Sequence, residues 1–211
     1  MRTKEKSTNI VFLRHGQTDF PTNRIYCDDI IDPELNENGL MQAQSAANML
    51  ATPSQNIPDI QKIYCSPAKR TLKTAQLAAD SIGVVLEIVP EWVERRFGVW
   101  EGMYFKEIEE NHPEEYSRWK QDMVNYTPEG GETINDVKRR LADSLKNITQ
   151  NHINENILIV THVGPIRISL CQAMSIPLSN YRQIRVDYAS MSRIDYGETL
   201  NNLIFLNQYN Y

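Results

Sequence analysis

Ile157-Leu158-Ile159-Val160 runs without interruption into Thr161-His162-Val163-Gly164-Pro165. A short apolar run with no polar alternation is how a strand covered on both faces reads. The Gly-Pro pair behind it punctuates the chain, and a helix is expected to begin there. The same pattern recurs. Ile10-Val11-Phe12-Leu13 stops at Arg14-His15-Gly16, Ile60 to Cys65 stops at Ser66-Pro67, and Val84 to Val89 is closed by Pro90. Between these runs, apolar residues fall at helical spacing: Leu40, Ala43, Ala47 and Leu50; Ala68, Leu72, Ala75 and Ala79; Ile134, Val137, Leu141, Leu145 and Ile148. Ser66 is expected to cap the second helix, with Pro67 as its first residue. Strand and helix in alternation predict an α/β fold, a three-layer α/β/α sandwich with a mostly parallel central sheet. The tail, Ile184 to Leu206, reads as further strands with a turn near Tyr196-Gly197-Glu198, placed as antiparallel edges.

The chain has 211 residues, of which 41% are hydrophobic and 23% charged, enough apolar material for a core and too much for a disordered chain. It is expected to be one domain, residues 1–211. Residues 92–131, rich in Glu, Tyr, Trp, Pro and Gly, read as an excursion or flap over the site. No apolar run approaches the length of a membrane span, and the basic start, MRTKEKSTN, lacks the apolar segment of a secretory signal. A net charge of −5 without a basic stripe argues against nucleic acid as a partner. Cys27, Cys65 and Cys171 are odd in number and widely spaced, so they read as reduced, small apolar residues in a cytoplasmic protein.

In open α/β sheets ligands bind beyond the carboxyl ends of the strands. The first strand delivers Arg14 and His15 there, the second Ser66 with Arg70 a turn later, and the fourth His162. Each alone is ordinary. Together, two histidines and two arginines at one sheet edge would repel each other unless an anion joins them. A phosphoryl group matches the fork of an arginine, and the backbone N–H groups of Val163 and Gly164 add donors at a helix start.

Leu13-Arg14-His15-Gly16-Gln17-Thr18 resembles the LRHG(E/Q)T signature of the histidine phosphatase, or phosphoglycerate mutase-like, superfamily. The resemblance continues through nearly the whole chain. It takes in Leu35 to Ala43 with Asn36 as a cap, Ser66-Pro67-Ala68-Lys69-Arg70-Thr71, Glu94 to Gly102, Pro128 to Thr133, and Val160 to Arg167. It implies that His15 becomes a phosphohistidine, that Arg14, Arg70 and His162 hold the phosphoryl oxygens, and that Glu94 is the general acid and base. Gln17, Thr18, Asn23 and Val163 are the expected substrate contacts. No metal or other cofactor is implied, and the expected partner is a small-molecule phosphate ester. The ring of His15 must attack as the neutral species, its tautomer set by a carbonyl on the other nitrogen.

The chain departs from the family pattern in places. Pro21 stands where an Asn is frequent, so the loop from Asp19 to Asp29 is altered. Val163 replaces a frequent Gly. The FGVWEG segment and the short middle region resemble phosphatases more than mutases, so a phosphomonoesterase is expected. The alternatives are mutase-type phosphoryl transfer and a non-catalytic phosphate-binding module. A metal held by His15 and His162 lacks partner ligands, and Arg14 and Arg70 would repel it. Trp92, Trp100 and Trp119 read as core or flap packing, and His112 and His152 as solvent-exposed.

Overall fold

The computed structural model describes residues 6–26, 31–52, 54 and 56–210. Cys27 and the 27–29 part of the altered loop lie outside them. Strands β1 (Ser7–Arg14), β2 (Lys62–Cys65), β3 (Leu86–Ile88), β4 (Asn156–Thr161), β5 (Met191–Gly197) and β6 (Asn201–Gln208) form one sheet in the order β3-β2-β4-β1-β5-β6. The first four of these neighbours run parallel, while β5 is antiparallel to both β1 and β6.

The apolar runs are continuous because both sheet faces are covered. Ile10 and Phe12 of β1, with Ile157 and Ile159 of β4, pack under α5 (Ile134–Asn151) and α6 (Val163–Ala173). Val11, Leu13, Leu158 and Val160 point the other way, toward α1 (Glu37–Leu50) and α2 (Lys69–Ile82). Side chains of a strand alternate faces, so every second residue feeds a different core. The expected stripe of α5 is buried throughout, and Thr133 caps that helix in a reciprocal box with Asp136. Asn36 caps α1 as expected, accepting from the Gly39 N–H at 2.8 Å.

Several expectations are corrected. Helix α2 begins at Lys69, and Ser66 does not cap it. The Ser66 hydroxyl is engaged by the ring of His162, while the carboxylate of Asp32 takes the Lys69 N–H at 3.1 Å. The hydroxyl of Thr71 closes the turn by donating to the carbonyls of Ser66 and Ala68. In α1 it is Gly39, not Leu40, that faces inward, because its backbone lies against Gln17. Residues 184–190 form a loop, and the tail enters the sheet only at Met191. His152 is half-buried, bonded to the Tyr64 hydroxyl at 2.8 Å and to Glu155 at 2.6 Å.

The segment after β3 leaves the sheet. It carries α3 (Phe105–Asn111) and α4 (Pro113–Gln121), and builds a local core from Trp100, Ile108 and Trp119. Ile25 joins that core, and backbone bonds stitch residues 23–25 to residues 102–105. The three tryptophans are thus packing residues, Trp92 in the main core and the other two in this smaller one. Among the described residues, no helix is long and apolar enough to cross a membrane.

Leu141 is fully buried between α5 and the sheet. Truncation there leaves a cavity in a close-packed layer, so Leu141→Ala is expected to cost about 2–5 kcal/mol in chemical denaturation. A loss below about 1 kcal/mol would mean that the layer collapses around the gap.

Candidate active site

Strands β1 and β4 lie side by side, yet their following helices cover opposite faces of the sheet. This is the kind of crevice where α/β sheets bind ligands. The β1 end is held there by backbone bonds: the His15 N–H donates to Thr161 O at 3.1 Å, and the Ala189 N–H to His15 O at 3.1 Å. The chain turns at Gly16 because a Cβ there would lie 2.3 Å from the carbonyl oxygen of Gly39. Only glycine permits so close a backbone approach.

His15 is buried, with Nδ1 at 2.7 Å from the carbonyl oxygen of its neighbour Gly16. A carbonyl only accepts, so Nδ1 carries the proton and the lone pair resides on Nε2. That lone pair faces the Arg70 Nε–H at 3.4 Å. The same guanidinium donates from Nη2 to His162 Nδ1 at 3.0 Å. Nε2 of His162 is therefore the protonated nitrogen, and it donates to Ser66 Oγ at 2.8 Å. The two rings stand edge to face, 5.2 Å apart. Burial first, and then the guanidiniums of Arg70 and Arg14, push the pKa of His15 well below that of a free imidazole. Burial and Arg70 do the same to His162. The four mutually repelling cations expected from the sequence are thereby reduced to two, the guanidiniums, since burial favours the neutral form of both imidazoles.

Arg70 is itself buried, reaches Asp32 at 3.5 Å and sits 4.7 Å over the Tyr26 ring. Arg14 donates to Val186 O at 2.9 Å and lies 3.8 Å over the ring of Tyr188. Its Nε is buried and has no hydrogen-bond partner among the described residues.

Glu94 comes from the other side of the crevice. The Thr161 hydroxyl donates to Trp92 O at 2.6 Å, which brings the chain past the end of β4. The Glu94 carboxylate then accepts from the Gly164 N–H at 3.1 Å and from the Arg95 N–H at 2.8 Å. It occupies the N-terminal end of α6, where the helix dipole favours a negative charge. A Cβ on Gly164 would come within 2.1 Å of its Oε1. The Gly164 donor expected to meet a ligand is thus already taken by Glu94.

Arg14, His15, Arg70, Glu94, His162 and Val163 all line one cavity of about 250 Å³. Gln17, Thr18 and Asn23 are not among the described residues that line it. The backbone N–H of Gln17 donates to the side chain of Gln42 on α1 at 3.0 Å. Thr18 is buried beneath the wall and bonds Tyr26, whose pKa burial raises. Asn23 is exposed, and its carbonyl takes the Phe105 N–H. Sequence reasoning missed Asp32, Tyr188, Arg167 and Tyr181. Only Arg167, five residues beyond His162 on the same helix, carried a local signal. Among the described residues, no group of three or more His, Cys, Asp or Glu side chains is placed to hold a metal ion.

The depressed histidines give stability a sign with pH. An unfolded imidazole takes its proton near pH 6.5, whereas the folded ones take theirs at lower pH. Between those values the unfolded chain binds more protons, so stability falls as pH drops below about 6.5. The Tm of the ligand-free protein is expected to fall between about pH 7 and about pH 5, and His162→Gln to flatten that fall. An equally steep fall in the variant would show that other groups govern the transition.

The chain is similar to known proteins over nearly its whole length. A bifunctional protein of Mycobacterium tuberculosis is 34% identical over 205 residues, 97% of this chain and 55% of that protein. The chain thus spans about half the length of the mycobacterial relatives it matches. Phosphoserine phosphatase 1 of Hydrogenobacter thermophilus is 30% identical over 201 residues, covering 94% of this chain and 91% of the relative. The crystal structure of the alpha-ribazole phosphatase from Shigella flexneri superposes with a TM-score of 0.80 at 26% identity, over 95% of this chain and 96% of the other. The fold is also that of a phosphoserine phosphatase from Entamoeba histolytica, at a TM-score of 0.82 and 23% identity over 96% and 98% of the two chains. The family model of the histidine phosphatase superfamily (branch 1) matches residues 10–208, and the chain belongs to that superfamily.

Proposed function

We propose that the protein is a phosphomonoesterase that hydrolyses a small phosphorylated metabolite through a phosphohistidine on His15. The observation that carries this reading is the Nδ1 to Gly16 O bond, which leaves the Nε2 lone pair directed into a cavity walled by Arg14, Arg70 and His162. The named activities of its relatives, phosphoserine and alpha-ribazole phosphatases, are of the same reaction class.

Nε2 of His15 attacks phosphorus while the ester P–O bond breaks. The guanidiniums of Arg14 and Arg70 stabilise charge on the phosphoryl oxygens, positioned before the reaction begins, and His162, held by Ser66 through its Nε2–H, keeps the Arg70 fork in place from its Nδ1 and borders the same phosphoryl pocket. In its acid form, Glu94 gives its proton to the departing alkoxide, releasing an alcohol. The resulting carboxylate then takes a proton from water as that water attacks the phosphohistidine. Inorganic phosphate leaves, and His15 and Glu94 return to their starting states. The imidazole becomes cationic only while it is phosphorylated, when the dianionic phosphoryl group offsets its charge. In the same reading, residues 92–131 form a cover over the cavity, since Phe97, Phe105 and Trp119 contribute to its wall.

His15→Ala is expected to lower phosphate release from p-nitrophenyl phosphate by roughly a thousandfold or more. Turnover at the parent rate would remove His15 as nucleophile. Glu94→Gln is expected to slow alkyl esters by roughly 10²- to 10⁴-fold and esters with good leaving groups much less. Gly164→Ala, which displaces the carboxylate, is expected to show the same bias. Equal slowing of both ester types would exclude Glu94 as the general acid.

A further inference from the structure

We infer that the substrate carries a second anionic group beside the phosphoryl ester, and that Arg167 and Arg182 receive it. This deepens the phosphatase reading and rests on it. The cavity is lined by Arg14, Arg24, Arg70, Arg95, Arg167 and Arg182, against a single carboxylate, Glu94, among its described lining residues. That excess of positive charge lies in a chain whose net charge is −5.

The arginines divide by what they touch. Arg14 and Arg70 flank His15. Arg95 is used up internally, donating to the carbonyls of Glu132, Tyr126 and Met123. Arg24 donates to Gly102 O and lies over Phe20 and Tyr104, pinning the altered loop to the excursion. Arg167 differs. Its Nε donates to Ile184 O at 2.7 Å, which orients the fork, and among the described residues neither Nη has a hydrogen-bond acceptor. It is half-buried, and among the described residues no carboxylate forms an ion pair with it. Among the described residues Arg182 also has no carboxylate in an ion pair. It rests on Met123 Sδ at 3.4 Å and lies 5.9 Å from the Trp119 ring centre, at the border of the excursion.

Arg14, Arg167 and Arg182 all line the one cavity, and Arg167 is repelled by Arg14 and Arg182 while Glu94 attracts it. Holding a half-buried cation among like charges is costly unless an anion joins them. A phosphoryl dianion engages Arg14 and Arg70. The next two forks match a carboxylate or a second phosphate, each able to bind an arginine through two oxygens. Phe97, Phe105 and Trp119 supply an apolar wall for the carbon skeleton between the two anions. The cavity, about 250 Å³, is smaller than the ~300–1,000 Å³ typical of sites for drug-sized ligands, which favours a short skeleton.

The test compares three phosphate esters of similar size: 3-phosphoglycerate, glycerol 3-phosphate and propane-1,3-diol bisphosphate. The first carries a carboxylate where the second carries a neutral CH₂OH, and the third carries a second phosphate. The expected result is that kcat/KM for at least one doubly anionic ester exceeds that for glycerol 3-phosphate by roughly 10- to 100-fold, the range for charge-assisted hydrogen bonds. Which of the two is preferred identifies the second group. Arg167→Gln combined with Arg182→Gln is expected to bring that ratio to within about twofold of unity. Exposed Arg182→Gln alone is expected to reduce it, and serves if the double variant does not fold. Equal use of glycerol 3-phosphate by the parent, or an unchanged ratio in the variants, overturns the inference. Calorimetric titration of the same compounds separates this from failure of the phosphatase reading. If none is hydrolysed, that reading falls. Tighter binding of a doubly anionic ester still supports the second subsite, while equal or absent binding removes it.

Discussion

The backbone bond from the His15 N–H to the carbonyl of Thr161 joins the ends of two strands that are far apart in the chain. Everything at the crevice depends on that pairing. It sets the exit of β1, where Arg14 and His15 emerge, against the exit of β4, where His162 starts α6. The parallel register, Leu13 opposite Val160 and Arg14 opposite Thr161, is enforced by the two cores. A slip of one residue would swap Phe12 and Ile159 with Leu13 and Val160 across the sheet and misfill both layers. The apolar packing that stabilises the domain therefore also positions its polar residues.

Burial of the two imidazoles does more than place them. It holds them neutral, which allows two histidines to sit beside two arginines without four mutually repelling charges. The hydrogen bonds then assign the protons. Arg70 can only donate, so it meets the unprotonated nitrogen of each ring, and Gly16 O and Ser66 Oγ take the remaining N–H groups. One buried guanidinium thus orients both rings. Its charge is partly offset by Asp32, which also serves the first N–H of α2.

The excursion after β3 supplies Glu94 at one end and a wall of aromatic residues at the other. Its local core, built on Trp100, Ile108 and Trp119, incorporates Ile25 from the altered loop, so the loop and the excursion are stabilised as one unit. Arg24 adds a polar pin between them. The excursion is thereby coupled to the segment that follows the His15 turn.

The order of strands and helices was legible in the sequence because uninterrupted apolar runs and 3.6-residue stripes reflect burial that each residue must satisfy locally. His15, Arg70 and His162 stand out as candidates because they follow strand ends, while Glu94 is reached only through the family resemblance. What the sequence could not supply was the partner of each polar group. Ser66 reads as a helix cap from its neighbours, yet its hydroxyl meets His162, 96 residues away. Asp32 takes the cap from a loop 37 residues distant. Thr18 sits next to the signature motif but is packed under Tyr26, and Asn23 faces out because the loop is tied down by backbone bonds. Tyr188 and Arg182 lie in a segment without periodicity and reach the cavity only because the tail folds back beside β1. Local spacing determines which face an element buries. The partners of hydrogen bonds and charges are decided by tertiary contacts, where each buried polar group takes whichever complementary atom the packing brings within reach.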